Sequence, residues 1–296
     1  MTTAYVCYSN KGEYGLADLE NEELFQFLKE KGVDIHSEIW SDPAAEWESY
    51  DNVILKAPWD YVEKIDQFRS WLDKLDSLNV RLLNSINTIR WNIDKHYLRD
   101  IADSGLNVIE TMYLEKGSSI DFKSCFQSLN IEKIVVKPCI SASSKNTFAI
   151  SLNEADQFIP VINDLLKDGD YMVQPFLKEI QQSGEVSFMF FNGVFSHSVI
   201  KKPKAGDFRT QEHLGGTIDT FTPTAELLSS VQKYVDIFAK NCLYTRVDGT
   251  IVNGAFQLME LEIVDPYLYL FTSPESYNLY YGALIASMEK YSQIIT

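Results

Sequence analysis

The stretch from Arg246 to Pro266, RVDGTIVNGAFQLMELEIVDP, limits the fold more than any other part of the chain. Two apolar runs flank Asn253-Gly254, a dipeptide that favours a tight β-turn, so the segment predicts a hairpin. Side chains alternate along a strand, so Glu260 and Glu262 share one face while Met259, Leu261 and Ile263 take the other, into a core. Arg246 and Asp248 also share a face. A two-residue turn would set Asp248 opposite Met259 and split the acids between faces. A three-residue loop over 253–255, with Gly254 left-handed, sets Asp248 opposite Glu260 and Arg246 opposite Glu262. That longer loop, or an equivalent bulge, is the expectation.

Three like charges on one poorly solvated face repel at a cost of roughly a kcal/mol or more per pair, so something cationic should compensate. Mg²⁺ suits oxygen ligands and is commonly shared between carboxylates and substrate phosphates. The alternative is a solvated sheet face with Arg246 as its only counter-ion.

The remaining chain sets the context. Its 296 residues suffice for two domains with a sizeable core, and they alternate strands with helices, an α/β or α+β pattern. A balance of 26 basic against 42 acidic residues, net −16, argues against nucleic acid or a membrane surface as partner. Cys7, Cys125, Cys139 and Cys242 are scattered, as reduced thiols are. The N-terminus reads as a strand, and no apolar run reaches membrane-spanning length. A cytoplasmic protein is expected.

Residues 1–85 read as a small βαβ unit. INTIRWNIDKHYLRDIADSGLN, from Ile86, reads as one helix stopped at Gly105. YMVQPFLKEI and EVSFMFFNGVFSHSVIKKP read as strands, the second turning at Asn192-Gly193. Lys137 ends the apolar strand IVVKP, and the following CISASSKNT is rich in small residues able to fold over phosphates. Lys95, by itself, reads as a surface residue on a helix. Lys201 and Lys202 follow an apolar strand, and GDFRTQEHLGG adds Arg209 and Gly215-Gly216, a pair that permits close backbone approach to an anion.

In this order the residues resemble the ATP-grasp superfamily of carboxylate–amine ligases, from about Asn84 onward. RVDG…MELE and GDFRTQEHLGG are the most specific pieces, similar to the glutathione synthetase and ribosomal-protein glutamate ligase branch. RWNIDKHYL, FSHSVIKKPKAGDFR and LMELEIVDPYLYL resemble the D-cycloserine synthetase group within it.

The resemblance implies an α+β ATP-grasp fold: a pre-ATP-grasp domain (1–85), a mobile central subdomain (86–175) and a C-terminal subdomain with the metal site (176–296). Lys95 and Lys137 would contact ATP phosphates, with Ser141, Ser143 and Ser144 in the loop that closes over them. Gln174, Pro175, Phe176 and Leu177 would form the adenine hinge. Glu185, or in competition Glu179, would bind the ribose. Lys201, or in the other register Lys202, would reach the terminal phosphate. Arg209, Gln211, His213, Gly215 and Gly216 would face the acyl phosphate or substrate. Arg246 would steady the tetrahedral intermediate, and Asp248, Glu260 and Glu262 would hold two Mg²⁺, with Mn²⁺ able to substitute. Many members have Asn at the place of Glu262, so this site gains a negative charge.

The implied reaction is ADP-forming ligation of an amino acid or small peptide carboxylate to an amine through an acyl phosphate. An intramolecular cyclo-ligase is the alternative, and a small-molecule kinase a further one. APWDYVEK offers Trp59 and Asp60 as carboxylate-side contacts; the competing roles are a core aromatic and a helix cap. The tyrosines of LYLFTSPESYNLYYGAL could line a pocket or a dimer interface, and a homodimer is allowed.

Overall fold

The computed structural model describes residues 1–10, 12–204, 206–207, 209–210 and 215–295, the last five by backbone only. Gln211 and His213 lie outside the described residues.

β1 (Thr3–Cys7), α1 (Leu16–Glu30), β2 (Ile35–Ile39), β3 (Asn52–Ala57), α2 (Ile65–Ser77) and β4 (Arg81–Leu82) build a parallel sheet in the order β2-β1-β3-β4. β1 and β3 are buried throughout, which is why both are mainly apolar rather than alternating, with Asn52 and Lys56 of β3 as buried polar exceptions.

The helix expected from Ile86 is two helices, α3 (Ile86–Asn92) and α4 (Tyr97–Asp103). At the break, the Lys95 N–H donates to the Cys139 carbonyl at 2.9 Å and the Asp94 carboxylate accepts the His96 N–H at 3.0 Å. These bonds replace helical ones and turn Lys95 inward.

β5 (Met112–Leu114), α5 (Phe122–Leu129), β6 (Lys133–Pro138), β7 (Phe148–Ser151), α6 (Ala155–Leu165) and β8 (Tyr171–Pro175) form an antiparallel sheet in the order β5-β8-β6-β7. α5 starts where Asp121 accepts the Ser124 N–H at 3.1 Å. The strand read through YMVQPFLKEI ends at Pro175, and its tail is the short helix α7 (Lys178–Gln182).

The third sheet is antiparallel, in the order β11-β10-β9-β12-β13: β9 (Glu185–Phe191), β10 (Val194–Lys202), β11 (Thr217–Thr220), β12 (Tyr244–Val252) and β13 (Ala255–Glu262), with α8 (Ala225–Phe238) and α9 (Ser276–Ile295). β13 is an edge strand, and its outward backbone groups find partners in the segment before the central sheet. Asn92 donates to the Leu261 carbonyl at 2.7 Å and accepts the Ile263 N–H at 3.0 Å. The Tyr97 hydroxyl accepts the Leu261 N–H at 2.9 Å. The buried edge thus has no orphaned group at these positions, and the acidic strand is pinned. All four cysteines are buried thiols. Among the described residues, no helix is long and apolar enough to cross a membrane.

Candidate active site

The hairpin reaches the expected pairing by the second of its two routes. The turn is the short one: Asn253 (φ 51°) and Gly254 (φ 80°) both take the left-handed conformation, and Val252 faces Ala255. The register then shifts between Asp248 and Gly249, because Gly249 faces Leu258 while Asp248 faces Glu260 and Arg246 faces Glu262. Met259 is the extra residue of a bulge. This corrects its assignment to the core: Met259 lines the cavity, as Glu260 does. Gly249 is required here, since a Cβ would lie 2.4 Å from the Gln257 carbonyl oxygen and from the Phe256 ring.

Arg246 is buried, and its guanidinium ties the acids together. Nε donates to both Asp248 oxygens at 3.0 Å, one terminal nitrogen bonds Asp248 at 2.8 Å and Glu262, and the other donates to the Tyr267 carbonyl at 2.9 Å. Ser187 donates to Asp248 at 2.5 Å. Burial pushes Glu262 up to about 8, against the pull of Arg246 and with Glu260 and Asp248 adding to the rise. Asp248 stays below the usual carboxylate range, because Arg246 and Lys201 outweigh its burial.

The lysines converge on the same face. Lys95, expected at the surface, is 5% exposed and bonds the Ser141 carbonyl at 2.9 Å and Glu260 at 3.1 Å. Lys137 lines the cavity, and burial holds its ammonium below the ordinary range, with Lys95 adding to the effect. Strand alternation separates Lys201 from Lys202. Lys201 is buried, 2.6 Å from Glu185 and 3.8 Å from Asp248, while Lys202 is exposed and does not line the cavity.

One cavity of about 830 Å³ gathers most of the predicted residues. Ser141, Ser143, Ser144, Gln174, Pro175, Phe176, Leu177, Glu185 and Arg209 line it, as do Arg246, Glu260 and Glu262. Ser143 and Ser144 are left-handed (φ 52° and 56°), so the loop reaches with serines a conformation glycine adopts more readily. The Gln174 side chain donates to Thr111 at 2.9 Å. Both oxygens of Glu185 are engaged, with Lys201 and Thr210, each at 2.6 Å. Arg209 pairs with Asp207 at 2.9 Å.

Several placements correct the sequence reading. Glu179, Gly215 and Gly216 do not line the cavity, and Gly215 lies exposed beside Lys204. Asp60 holds the N-cap position of the helical turn at 61–64 without a side-chain capping bond and does not line the cavity: its carboxylate accepts from Trp40 at 2.6 Å and Lys64 at 2.7 Å. Trp59 does line the cavity. Of the tyrosines of LYLFTSPESYNLYYGAL, Tyr269 lines the cavity and Tyr280 is core. Sequence reading missed Asp265, Tyr267 and residues 12–17, where the chain enters α1, all of which line the cavity. The signal for Asp265 was the motif LMELEIVDPYLYL itself, read only as far as Glu262.

The segment 265–270 carries the Tyr267 carbonyl that orients Arg246, and buried groups from distant elements hold it. Glu20 of α1 accepts the Leu268 N–H at 2.9 Å and the Leu270 N–H at 2.6 Å. Lys56 of β3 donates to the Pro266 carbonyl at 3.1 Å and lies 3.8 Å from Glu20. Both charges are nearly inaccessible, so Glu20→Ala leaves Lys56 buried without a counter-charge. It should cost about 3–5 kcal/mol in chemical denaturation, and a loss below about 1 kcal/mol would refute this account of the pair. Glu20→Leu combined with Lys56→Met should cost much less.

The buried His197 donates from Nε2 to the Leu268 carbonyl at 2.9 Å. Burial lowers its pKa, so the folded state binds its proton less readily than the unfolded chain. Its contribution is therefore complete above the unfolded value of about 6.5 and is lost as pH falls toward the lower folded value, with a slope of at most about 1.4 kcal/mol per pH unit. His197→Gln should flatten the stability–pH curve below about pH 6.5 in thermal melts. An unchanged curve would assign the slope to other groups.

Glu260 and Glu262 present carboxylate oxygens to the cavity and suit a hard divalent ion, whereas Asp248, expected beside them as a third ligand, does not line the cavity, because Arg246 and Ser187 hold its oxygens. The lysines beside them suit phosphates.

Two family models match. Residues 4–84 match the N-terminal domain of the D-cycloserine synthetase DcsG, and residues 121–244 match the prokaryotic glutathione synthetase ATP-grasp domain. The chain is 26% identical over 190 residues to the cycloserine biosynthesis protein DcsG of Streptomyces lavendulae, a match spanning 62% of each protein. Its fold is that of the DcsG crystal structure, with a TM-score of 0.83 at 22% identity, covering 96% of this chain and 98% of that one. A D-alanine–D-alanine ligase from Bacillus anthracis complexed with ATP gives 0.72 at 15% identity, covering 100% and 98%.

Proposed function

On the premise that the chain belongs to the ATP-grasp family, we propose that it is an ADP-forming carboxylate–amine ligase acting on an amino acid or small peptide. The observation that carries this reading is the buried Arg246, bonded to Asp248 and Glu262 on the face where Lys95 meets Glu260. Nucleotide binding alone has no use for a guanidinium at that position.

A carboxylate resists an amine because its leaving group is an oxide. Attack of a carboxylate oxygen on the γ-phosphorus of ATP forms a new O–P bond as the β–γ bridging bond breaks and ADP leaves. The acyl phosphate then has phosphate as its leaving group. Lys95, Lys137 and Lys201 balance the phosphate charge during this transfer. Glu260 and Glu262 would hold Mg²⁺, which supplies further positive charge to the phosphate oxygens. The amine nitrogen attacks the carbonyl carbon, Arg246 donates toward the developing oxyanion, phosphate departs with the electron pair, and the nitrogen loses its proton. Closure of residues 139–147 would keep water from the acyl phosphate.

Two Mg²⁺ ions, with Mn²⁺ as a substitute, belong to the proposal. So do a mobile central subdomain over residues 86–175, small-molecule carboxylate and amine partners, a cytoplasmic location and a homodimer. An intramolecular cyclo-ligase is the second reading, favoured by the similarity to D-cycloserine synthetase over residues 4–84.

The test is ATP, Mg²⁺ and hydroxylamine against amino acids, dipeptides and O-ureido-D-serine. Hydroxamate with equimolar ADP supports the ligase. ADP released with a phosphorylated alcohol and no hydroxamate overturns it in favour of a kinase.

A further inference from the structure

Asp265 stands at the end of the cavity nearest the first sheet, three residues past Glu262. Its backbone carbonyl accepts the Trp59 indole N–H at 3.0 Å, which fixes it against the N-terminal sheet. Its carboxylate has no hydrogen-bond or ion-pair partner among the described residues. Three cations act on it through space, and each is engaged elsewhere. Arg246 is held by Asp248, Glu262 and the Tyr267 carbonyl. Lys95 is held by Ser141 and Glu260, and Lys56 by Glu20 and the Pro266 carbonyl. Burial pushes Asp265 up to about 7 against the pull of Arg246, with the Glu260 charge adding to the rise.

The wall beside it is aromatic. Tyr14 and Trp59 both line the cavity with ring centroids 5.1 Å apart, and Tyr61 and Tyr267 line it too. An uncompensated carboxylate beside aromatic faces receives a cation well, because the rings add cation–π attraction and the cation removes the cost of the lone charge.

We propose that Asp265 is the specificity-determining residue that receives an ammonium group of the substrate whose carboxylate is activated. The inference rests on the ligase reading above. The anchored nitrogen belongs to the carboxylate substrate and not to the attacking amine, because the attacker must give up its proton while Asp265 stabilises the protonated form. The ligand is thus a zwitterion, an amino acid or peptide with a free amino group, with Trp59 and Tyr14 packed around that group.

The experiment compares hydroxamate formation from free amino acids, dipeptides and O-ureido-D-serine with that from their N-acetylated forms, using the full chain with Mg²⁺ and ATP. Wild type should prefer the free form in kcat/KM. Asp265→Asn should lower the ratio of free to N-acetylated kcat/KM by about 30-fold or more, mainly through KM, and Asp265→Glu should recover much of it. Thermal melts of both variants report folding separately. Activation of N-acetylated forms as readily as free ones, or an unchanged ratio in Asp265→Asn, overturns the role of Asp265 while leaving the ligase intact. Absence of hydroxamate from both sets overturns the ligase reading, and this inference with it.

Discussion

Arg246→Met is expected to lower kcat/KM by at least about 10³-fold. In the proposed mechanism the guanidinium donates toward the developing oxyanion, and removal of one such donor from an acyl-transfer site typically costs about 10²–10³-fold. The same change leaves Asp248 and Glu262 facing each other without their shared partner, as both accept from one guanidinium nitrogen. Breaking a buried charge network of this kind costs about 3–5 kcal/mol, so the melting temperature should fall as well. Arg246→Lys separates the two effects. Lysine keeps the charge but not the planar fork that binds Asp248, Glu262 and the Tyr267 carbonyl together, so stability should partly recover while turnover stays low. Hydroxamate rates and thermal melts on the same preparations read both; near-normal turnover in the lysine variant would remove the oxyanion role.

Glu260→Gln should be nearly silent in stability and severe in turnover. The amide has the shape of the acid, and the Glu260 side chain is 29% exposed, so losing its 3.1 Å pairing with Lys95 costs within about 1 kcal/mol. Loss of one anionic metal ligand removes several kcal/mol of charge stabilisation where the phosphoryl group moves, a decrease on the order of 10³-fold. The Mg²⁺ concentration for half-maximal rate should rise, and excess Mg²⁺ should restore part of the activity. Full turnover with an unchanged Mg²⁺ dependence would show that Glu260 holds no metal. Read together, the two variants divide the hairpin face between substrate chemistry and metal.

Much of this site was legible because its information is local. Asn192-Gly193 and Asn253-Gly254 marked their turns since both residues of each take positive φ, which Asn and Gly tolerate best. Glu260 and Glu262 were placed on one face by the period of a strand. The need for a longer loop or a bulge had to be inferred from charge, because nothing in LMELE fixes a register; the structure places the bulge at Met259, where Gly249 approaches the opposite strand closely. For Lys95 the helical pattern alone points to the surface, since a charge in such a pattern usually faces water, and only the resemblance placed it in the site, where it lines the cavity. Its burial depends on Cys139 and Ser141, more than forty positions away, which break the helix and take its donors.

By itself, the sequence determined the α/β class, the two Asn-Gly hairpins, the acidic face and the set of lysines, since each depends on steric and polar preferences within a few neighbouring residues. Only the tertiary structure decided which lysine of the Lys201-Lys202 pair turns inward, that Asp60 serves Trp40 and Lys64, and that the Asp265 carboxylate lines the cavity with no partner among the described residues. It also joined Glu20 to Leu268 and Leu270 across some 250 residues. The reason is the same in each case: burial and charge pairing depend on what the rest of the fold brings alongside, and no local pattern carries that.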